Sequence, residues 1–297
     1  MQSFTYHAPR TIPEAVALLT ESEGKSVLLA GGTDILVQLR ENLRHADHVI
    51  DIKQIQDLAR LDGNAKQGLY LGSAVTCSQL LRSPITQPYA ALRDSAQIIG
   101  GWQIQSRATI GGNLCNSSPA ADSIPSLMVH GAVAEVINED GHQNIPVSHF
   151  CTGPGKNALA GNGLLLGLAI PEVGTISGSA YQRFIPRYEM DIAVASAASY
   201  IELLEDGTVA TATIALGAVG PTPLLASDAA DMLVGETPEE ALIEQIAQEA
   251  ARIATPINDM RGTIEFRKHL ASVLVKRTLQ TALRRATGEV VVSHPHV

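Results

Sequence analysis

Apolar residues along the first 60 positions follow helical and strand spacings in turn. Thr11 and Glu14 are spaced as a capping box at the start of an apolar helical run. The run 25–30 predicts a buried strand that ends at two glycines, 34–43 predicts a helix, and 48–52 predicts a second strand. We therefore expect a small α/β unit with a glycine turn at the end of a strand.

The middle of the chain continues this mixture of strands and helices. Residues 69–74 and 132–137 have the pattern of strands, and 77–81, 89–100 and 122–129 have the pattern of helices. A second glycine turn leads into the last of these helices. The pattern indicates a second unit of the α+β type.

The C-terminal part of the chain begins with strands and ends with helices. A Gly/Ser-rich break at 174–179 precedes strands at 193–203 and 209–219. Thr237 and Glu240 form a second capping-box pattern before a helix, and a final helix follows it. Three domains are predicted, over residues 1–60, 61–175 and 176–297.

Composition and charge exclude several classes of protein. The chain has 297 residues, 45% of them hydrophobic and 17% charged, and its net charge is −9. An acidic chain is a poor match for a nucleic-acid-binding protein, whose affinity depends on phosphate neutralisation. The apolar stretches fall short of the ~20 residues of a spanning helix, and the N-terminus has no signal-peptide pattern. We expect a cytoplasmic protein without a membrane span and without a nucleic-acid partner.

One segment near the C-terminus departs from the acidic balance. Between positions 261 and 285 the only acid is Glu265. We interpret the basic residues as a solvated helix face, with a docking surface for an acidic partner as the alternative. The residues are Arg261, Arg267, Lys268, Lys276, Arg277, Arg284 and Arg285.

Cysteine and histidine spacing predicts no metal site on this chain. Cys77, Cys115 and Cys151 are widely separated, so they match neither a zinc site nor an iron–sulfur cluster, and we expect free thiols. The nine histidines include no His-Glu-x-x-His pattern. A Rossmann fingerprint, a P-loop and a serine nucleophile elbow are also absent. No catalytic residue is predicted.

Two glycine pairs, Gly31–Gly32 and Gly111–Gly112, are the remaining candidates for chemistry. Glycine lets backbone N–H groups approach a diphosphate, because it has no Cβ and adopts positive φ without strain. A hydroxyl and a carboxylate follow the first pair, and amide, hydroxyl and carboxylate side chains follow the second; such groups suit ribose and ribityl hydroxyls. Adjacent glycines also arise by chance in a chain with 25 of them, so plain structural turns stay an alternative interpretation.

Three stretches resemble the signature sequences of the FAD-binding subunit of molybdenum hydroxylases. They are residues 28–35 (LLAGGTDI), 108–122 (ATIGGNLCNSSPAAD) and 187–193 (RYEMDIA). The family includes the medium subunits of xanthine dehydrogenase and carbon monoxide dehydrogenase. The resemblance implies an α+β protein with a PCMH (vanillyl-alcohol-oxidase)-type FAD-binding fold. Two α/β subdomains would clasp the cofactor, and a C-terminal α+β domain like that of the carbon monoxide dehydrogenase flavoprotein would follow.

The resemblance also assigns cofactor contacts. One group would wrap the FAD diphosphate from one side, a second group from the other, and the remaining positions would contact ribityl or ribose oxygens or line the cofactor. The first group is Leu28, Leu29, Ala30, Gly31, Gly32, Thr33, Asp34 and Ile35; the second is Thr109, Ile110, Gly111, Gly112 and Asn113; the others are Asn116, Asp122, Leu165 and Arg183. Arg183 stands where a lysine is common in the family.

The function implied by the resemblance is electron transfer within a multi-subunit oxidoreductase. A large molybdopterin subunit would oxidise the substrate, and a small subunit with two [2Fe–2S] clusters would pass electrons to the FAD of this chain and on to NAD or another acceptor. A dimer of heterotrimers is expected. A self-contained FAD-dependent oxidase and a non-catalytic assembly subunit are the alternatives.

Several departures from relatives favour the branch that includes xanthine dehydrogenase. The Cys-rich insert that carries an extra cluster in 4-hydroxybenzoyl-CoA reductase is absent. Ile192 stands where the carbon monoxide dehydrogenase chain has a tyrosine, and Gly32–Thr33 replaces the Gly-His or Gly-Gln of some relatives.

Overall fold

The computed structural model describes residues 2–64, 67–159, 162–187 and 190–292. The described strands form three larger sheets and a short two-stranded hairpin, with helices packed against the sheets. Each larger sheet takes its strands from one of the three predicted domains, while the domain boundaries themselves stay a prediction. No helix within the described ranges is long and apolar enough to cross a bilayer.

A parallel sheet forms the N-terminal part of the chain. Its elements are β1 (Thr5–His7), α1 (Ile12–Glu21), β2 (Ser26–Leu29), α2 (Ile35–Arg40) and β3 (His48–Asp51). The strand order is β1–β3–β2. Ile50 packs on one face with Leu19, and Val27 packs on the other face with Leu39. Both faces are therefore covered, which is why β2 reads as a continuous apolar run.

An antiparallel sheet and its helices form the middle of the chain. The elements are β4 (Leu61–Asn64), β5 (Gly68–Gly72), α3 (Cys77–Arg82), α4 (Ala90–Ala96), α5 (Trp102–Gln105), α6 (Ile110–Asn116), α7 (Ser123–Val129), β6 (Val133–Asn138), β7 (Gly141–Pro146), β8 (Cys151–Gly153), β9 (Lys156–Asn157) and β10 (Leu164–Ile170). The sheet order is β4–β5–β10–β6–β7, and β8 pairs with β9. The central strand, β10, carries Leu164 and Leu166 into a core that they share with the N-terminal domain.

A second antiparallel sheet forms the C-terminal part. The elements are β11 (Ser177–Phe184), β12 (Ala195–Leu203), β13 (Val209–Gly217), β14 (Leu224–Leu225), α8 (Ser227–Asp231), α9 (Glu240–Arg252) and α10 (Ile264–Ala286). On one face of the sheet, Ile201 shares a core with Leu274 of α10. On the other face, Ala198 shares a core with Leu92 and Leu127 of the middle domain. The C-terminal sheet is thus a layer between its own helices and those of the middle domain.

The two predicted capping boxes have different outcomes. The hydroxyl of Thr11 accepts a hydrogen bond from the Glu14 amide at 3.3 Å, so the predicted N-cap of α1 is confirmed. The Glu14 carboxylate accepts from the Arg10 amide at 2.8 Å, which satisfies an amide just outside the helix. The second box is wrong, because α9 begins at Glu240, and its N-cap residue, Glu239, makes no capping side-chain bond.

The predicted Gly/Ser-rich break at 174–179 is wrong over its second half, because β11 begins at Ser177. Gly178 lies within this strand against α10. A Cβ atom at Gly178 would come within 2.1 Å of the Ala282 carbonyl oxygen. The glycine therefore permits close packing between strand and helix and does not interrupt the strand.

The interpretation of the basic C-terminal segment as a solvated face is wrong for two arginines. Arg267 is 5% exposed and donates to the Val194 carbonyl at 2.8 Å and to Asp259 at 2.6 Å. Arg285 is largely buried and pairs with a carboxylate of the middle domain. A docking surface that uses these two guanidinium groups is excluded by the same contacts. Lys276 pairs with Glu240 and Glu244 of α9, and Arg284 pairs with Glu289.

The Asp94 carboxylate joins the middle and C-terminal domains. It accepts from the Arg285 guanidinium at 2.7 and 3.0 Å and from the Tyr181 amide at 3.1 Å. Arg285 also donates to the Ser179 carbonyl at 2.6 Å. A buried charge needs such complete pairing, since an unpaired one is costly. The contact therefore fixes β11 and α10 on α4.

Replacing one member of this buried pair tests its contribution to stability. We expect Arg285→Met to lower the free energy of unfolding by about 3 kcal/mol, because the Asp94 carboxylate loses its partner while staying buried. Denaturant unfolding followed by circular dichroism measures this loss. Arg277→Met, at an exposed position of the same helix, is the control, and an equal effect of the two substitutions would contradict the assignment.

His130 is a buried titratable group of the middle domain. It is 7% exposed, and its ring lies between those of Tyr89 and Tyr200, at centroid distances of 5.3 and 5.6 Å. Its Nε2 atom has no partner within the described part of the chain. Burial lowers the pKa of His130 to about 4 from the ordinary 6.5.

This shift predicts a loss of stability on acidification. Between pH 6.5 and 4 the unfolded chain binds a proton at this position and the folded chain does not, so stability falls as the pH falls. The slope is about 1.4 kcal/mol per pH unit, or about 3 kcal/mol over the whole interval. We expect His130→Phe to remove this part of the pH dependence in denaturant titrations. His142→Phe, at an exposed position, should leave the slope unchanged.

Candidate cofactor-binding site

A cleft of about 290 Å³ lies between the N-terminal domain and the middle domain. It collects most of the residues that the resemblance assigns to cofactor contact. Those that line it are Leu28, Ala30, Gly31, Gly32, Thr33, Asp34, Ile35, Thr109, Gly111, Gly112, Asn113, Asn116 and Leu165. Leu29, Ile110, Asp122 and Arg183 do not line it.

The first glycine loop connects the end of β2 to the start of α2, and each of its glycines has a different physical reason. Gly31 packs directly on the backbone of the middle domain, where a Cβ atom would lie 2.2 Å from the Arg107 carbonyl oxygen. Gly32 has φ of +81°, in the left-handed region that favours glycine. The loop therefore needs close approach at its first glycine and an unusual backbone at its second.

The second glycine pair does not form a turn; it lies in the first turn of α6. Thr109 is the N-cap, and its hydroxyl accepts from the Gly112 amide at 2.9 Å. Gly111 packs on Ser73, whose Cα and carbonyl oxygen would both lie 2.8 Å from an added Cβ. The prediction of a turn was wrong. Adjacent glycines can also lie in the first turn of a helix, where an N-cap threonine satisfies a free amide and the backbone stays helical.

Several backbone amides at the cleft have no acceptor. In the described part of the chain, no hydrogen bond uses a first set of amides, those of residues 31–35, or a second, that of Gly111, as a donor. The first set lies in the N-terminal domain and the second in the middle domain, so the cleft presents N–H groups from two sides. Successive free amides of this kind form a concave anion-binding surface.

Another part of the cleft wall is apolar. It is formed by Leu19, Val27 and Leu28 of the N-terminal domain and by Leu164 and Leu165 of β10. An apolar surface next to a few polar groups is typical of small-molecule and cofactor sites. The arrangement of a free-amide surface beside an apolar wall suits a dinucleotide.

Polar side chains connect the two walls of the cleft. Asn116 donates to the Asp34 carboxylate at 3.3 Å and accepts from the Gln38 side chain at 3.1 Å. Asn113 is oriented from behind by Ser123, whose hydroxyl donates to its side-chain oxygen at 2.6 Å. These bonds fix which end of each side-chain amide carries the oxygen.

Asp122 and Arg183 form a buried ion pair away from the cleft lining. Arg183 donates to the Asp122 carboxylate at 2.7 Å and to the Ile98 carbonyl at 3.1 Å. The Tyr181 hydroxyl donates to Asp122 at 2.7 Å. Burial raises the pKa of Asp122, and the Arg183 guanidinium opposes this rise. A contact of either residue with a cofactor stays a prediction.

The structure adds residues that the sequence did not single out. Ser73, Gln38 and Asn157 line the cleft. The Ser73 hydroxyl is buried and has no partner within the described ranges. Ser73 lies within the predicted strand 69–74, and the observed β5 ends just before it, at Gly72. A polar residue near the end of a predicted strand is the signal that could have pointed to it, because polar residues at strand ends often face ligands. Gln38 carried no such signal, since it reads as an ordinary helix residue.

The cleft contains no reactive nucleophile among its described residues. Cys115 lines it, but burial raises the pKa of its thiol to about 12, so the neutral form prevails. All three cysteines are free. No group of three or more histidine, cysteine, aspartate or glutamate side chains is arranged to hold a metal ion in the described part of the chain.

The third resembling stretch, 187–193, lies partly outside the described residues, which omit Tyr188 and Glu189. Arg187 donates to the Met190 carbonyl at 2.7 Å, and Asp191 lies within 3.9 Å of the Arg261 guanidinium. Ile192 is 53% exposed. These contacts place the stretch beside the start of α10.

Comparison with known proteins is consistent with this geometry. Residues 2–173 match the model of the FAD binding domain in molybdopterin dehydrogenase, and residues 179–282 match that of the CO dehydrogenase flavoprotein C-terminal domain. The fold is thus the α+β fold of a FAD-binding domain followed by this C-terminal domain, as the resemblance implied.

Two relatives and one solved structure match nearly the whole chain. The xanthine dehydrogenase FAD-binding subunit of Escherichia coli O157:H7 is 31% identical, over 96% of this chain and 98% of the relative. The carbon monoxide dehydrogenase medium chain of Afipia carboxidovorans has the same identity and coverage. The structure of carbon monoxide dehydrogenase from Hydrogenophaga pseudoflava matches with a TM-score of 0.91 and 29% identity, over 96% of this chain and 98% of the other.

Equal identity to both relatives does not separate the two branches, so the assignment to the xanthine dehydrogenase branch stays a prediction. The family itself follows from the matched domain models and from the shared length. The chain belongs to the family of FAD-binding medium subunits of molybdenum hydroxylases, which includes those of xanthine dehydrogenase and carbon monoxide dehydrogenase.

Proposed function

We propose that this chain transfers electrons between partner subunits and an electron acceptor. Electrons would come from two [2Fe–2S] clusters of a small subunit and pass through FAD to NAD or another acceptor. A large molybdopterin subunit would oxidise the organic substrate, and the complex would be a dimer of heterotrimers. The names of the relatives, a FAD-binding subunit and a medium chain, support a role within a larger assembly.

The observation that carries the proposal is the set of free amides that face one cleft from two domains. Residues 31–35 would donate to the FAD diphosphate from one side, and Gly111 from the other. Gly31 and Gly111 fit this role, because neither position has room for a Cβ. Bound FAD supplies reversible redox chemistry, and the protein supplies its position and surroundings.

The side chains of the cleft favour an electron carrier over a self-contained oxidase. Such an oxidase needs a group that moves a proton to or from its substrate. The carboxylate that lines the described cleft, Asp34, is engaged by Asn116, and the Cys115 thiol is held neutral. No histidine lines the described cleft. The arrangement suits binding and positioning of a cofactor.

Substitution of Gly31 tests the cofactor site. Gly31→Ala would place a Cβ 2.2 Å from the Arg107 carbonyl oxygen. This clash can be relieved only if the two walls of the cleft move apart, at a cost of about 1–3 kcal/mol. We expect the Kd for FAD to rise about 10- to 100-fold, measured by quenching of FAD fluorescence on titration with apoprotein. Gly153→Ala is the control, because its added Cβ would make only ordinary contacts, at 3.9 Å and beyond. Undiminished FAD affinity in Gly31→Ala would argue against the assignment of this loop.

Purification of the chain from its host tests the electron-transfer role. We expect it to co-purify with two other subunits, with molybdenum and iron in the complex, and we expect the flavin of the complex to be reduced when the organic substrate is added without oxygen. The isolated chain, reconstituted with FAD, should not be reduced by the same substrate. Reduction of the isolated chain by substrate would instead support the self-contained oxidase.

A further inference from the structure

A short chain of hydrogen bonds crosses the cleft from one domain to the other. The Gln38 side-chain nitrogen donates to the Asn116 side-chain oxygen at 3.1 Å, and the Asn116 nitrogen donates to the Asp34 carboxylate at 3.3 Å. Gln38 and Asp34 belong to the N-terminal domain, and Asn116 belongs to the middle domain. All three residues line the cleft.

This chain of bonds has a fixed direction. A carboxylate accepts hydrogen bonds, whereas a side-chain amide both donates and accepts. Asp34 therefore ends the chain as an acceptor, which turns the nitrogen of Asn116 toward it. The oxygen of Asn116 must then face Gln38, so only a donor at position 38 completes the arrangement.

Hydrogen bonds fix the backbone of Gln38. The Gln38 carbonyl accepts from the amides of Leu43 and Arg44, at 2.9 and 3.3 Å, and its amide donates to the Asp34 carbonyl at 3.0 Å. Gln38 is thus anchored at the end of α2. Its reach across to Asn116 comes from a fixed point in the N-terminal domain.

The glycine loop contacts the middle domain at both of its ends. At Gly31 the loop packs on the Arg107 carbonyl. At Asp34 it is bonded to Asn116, which Gln38 orients. The free amides lie between these two points, so both points together set the position of the amides relative to those of α6.

We propose that Gln38 is a positioning residue for FAD, which orients Asn116 and thereby sets the separation of the two amide-bearing walls before the cofactor binds. The inference rests on the proposed binding of the FAD diphosphate by those walls. A cleft that is already ordered loses less conformational entropy when the ligand binds, so its affinity is higher. A cleft that is correctly spaced only part of the time binds with its affinity reduced by that fraction.

Gln38→Met removes the donor while keeping a side chain of similar size. We expect the Kd of the apoprotein for FAD to rise about five- to tenfold, the range of one ordinary hydrogen bond. Gln280→Met is the matched control, because the Gln280 side-chain nitrogen also donates to a side-chain oxygen, that of Glu240 at 2.7 Å, but lies in the C-terminal domain. Unchanged FAD affinity in Gln38→Met would overturn the inference.

A second-site substitution separates positioning from a general structural effect. Gln38→Glu puts an acceptor at each end of Asn116, so we expect weaker FAD binding than in Gln38→Met. Adding Asp34→Asn supplies a donor at the other end and permits the chain of bonds in the reverse direction. The double variant, Gln38→Glu with Asp34→Asn, should therefore bind FAD at least about fivefold more tightly than Gln38→Glu alone.

Asp34→Asn also removes a negative charge near the proposed diphosphate position, and this loss of charge would by itself raise the affinity for FAD. Gln38→Glu with Glu41→Gln is the control, because Glu41 is an exposed acid at the end of the same helix and has no bond to Asn116. Recovery with Asp34→Asn but not with Glu41→Gln supports the inference. Equal recovery with both, or recovery with neither, overturns it.

Two further measurements, unfolding of the variants and FAD binding by the wild type, distinguish the inference from the function on which it rests. The denaturant midpoint of the FAD-free variants should differ little from that of the wild type. A merely structural role would instead lower stability and FAD affinity together. If the wild-type chain itself does not bind FAD, the proposed function fails. If the wild type binds FAD and the Gln38 variants bind equally well, only the role of Gln38 fails.

Discussion

The site depends on the contact between two stretches of backbone that belong to different domains. Gly31, at the end of β2, packs against the Arg107 carbonyl at a distance that no side chain would permit. Because these backbones approach so closely, the amides of residues 31–35 and those at the start of α6 face a common space. The apolar wall of β10 closes this space beside them. A cleft with amides on two sides follows from this approach, since neither domain alone carries both amide surfaces.

The C-terminal domain supports this arrangement from behind. Its sheet packs on α4 and α7 of the middle domain, and Asp94 and Arg285 connect the two at the buried interface. The ion pair of Asp122 and Arg183 lies in the same layer, just before α7. Such charges are retained inside a protein when every oxygen and N–H group finds a partner, and most of theirs do. The helices that frame the cleft are thereby held from the side that faces away from it.

The cleft is suited to hold a cofactor and offers little for acid–base chemistry. Its carboxylate is engaged by Asn116, and its thiol is neutral. This is the balance expected of a protein whose cofactor carries the electrons while the substrate reacts elsewhere. It also explains why the sequence shows no catalytic pattern. Every residue except proline has a backbone N–H group, so a site built from backbone amides shows in the sequence only as a preference for glycine.

Part of this fold and site could be predicted from the sequence. Apolar runs located β2 and β3, Thr11 located the start of α1, and the glycines with their polar neighbours marked both walls of the cleft. Local patterns determine such features because periodicity and capping act over a few residues. Tertiary structure alone decided that Gly111 lies in a helix, that Gly178 packs within a strand, and that Arg267 and Arg285 are buried. It also decided that Gln38 reaches Asn116, because contacts between residues far apart in the chain depend on how whole sheets and helices pack, which no local pattern records.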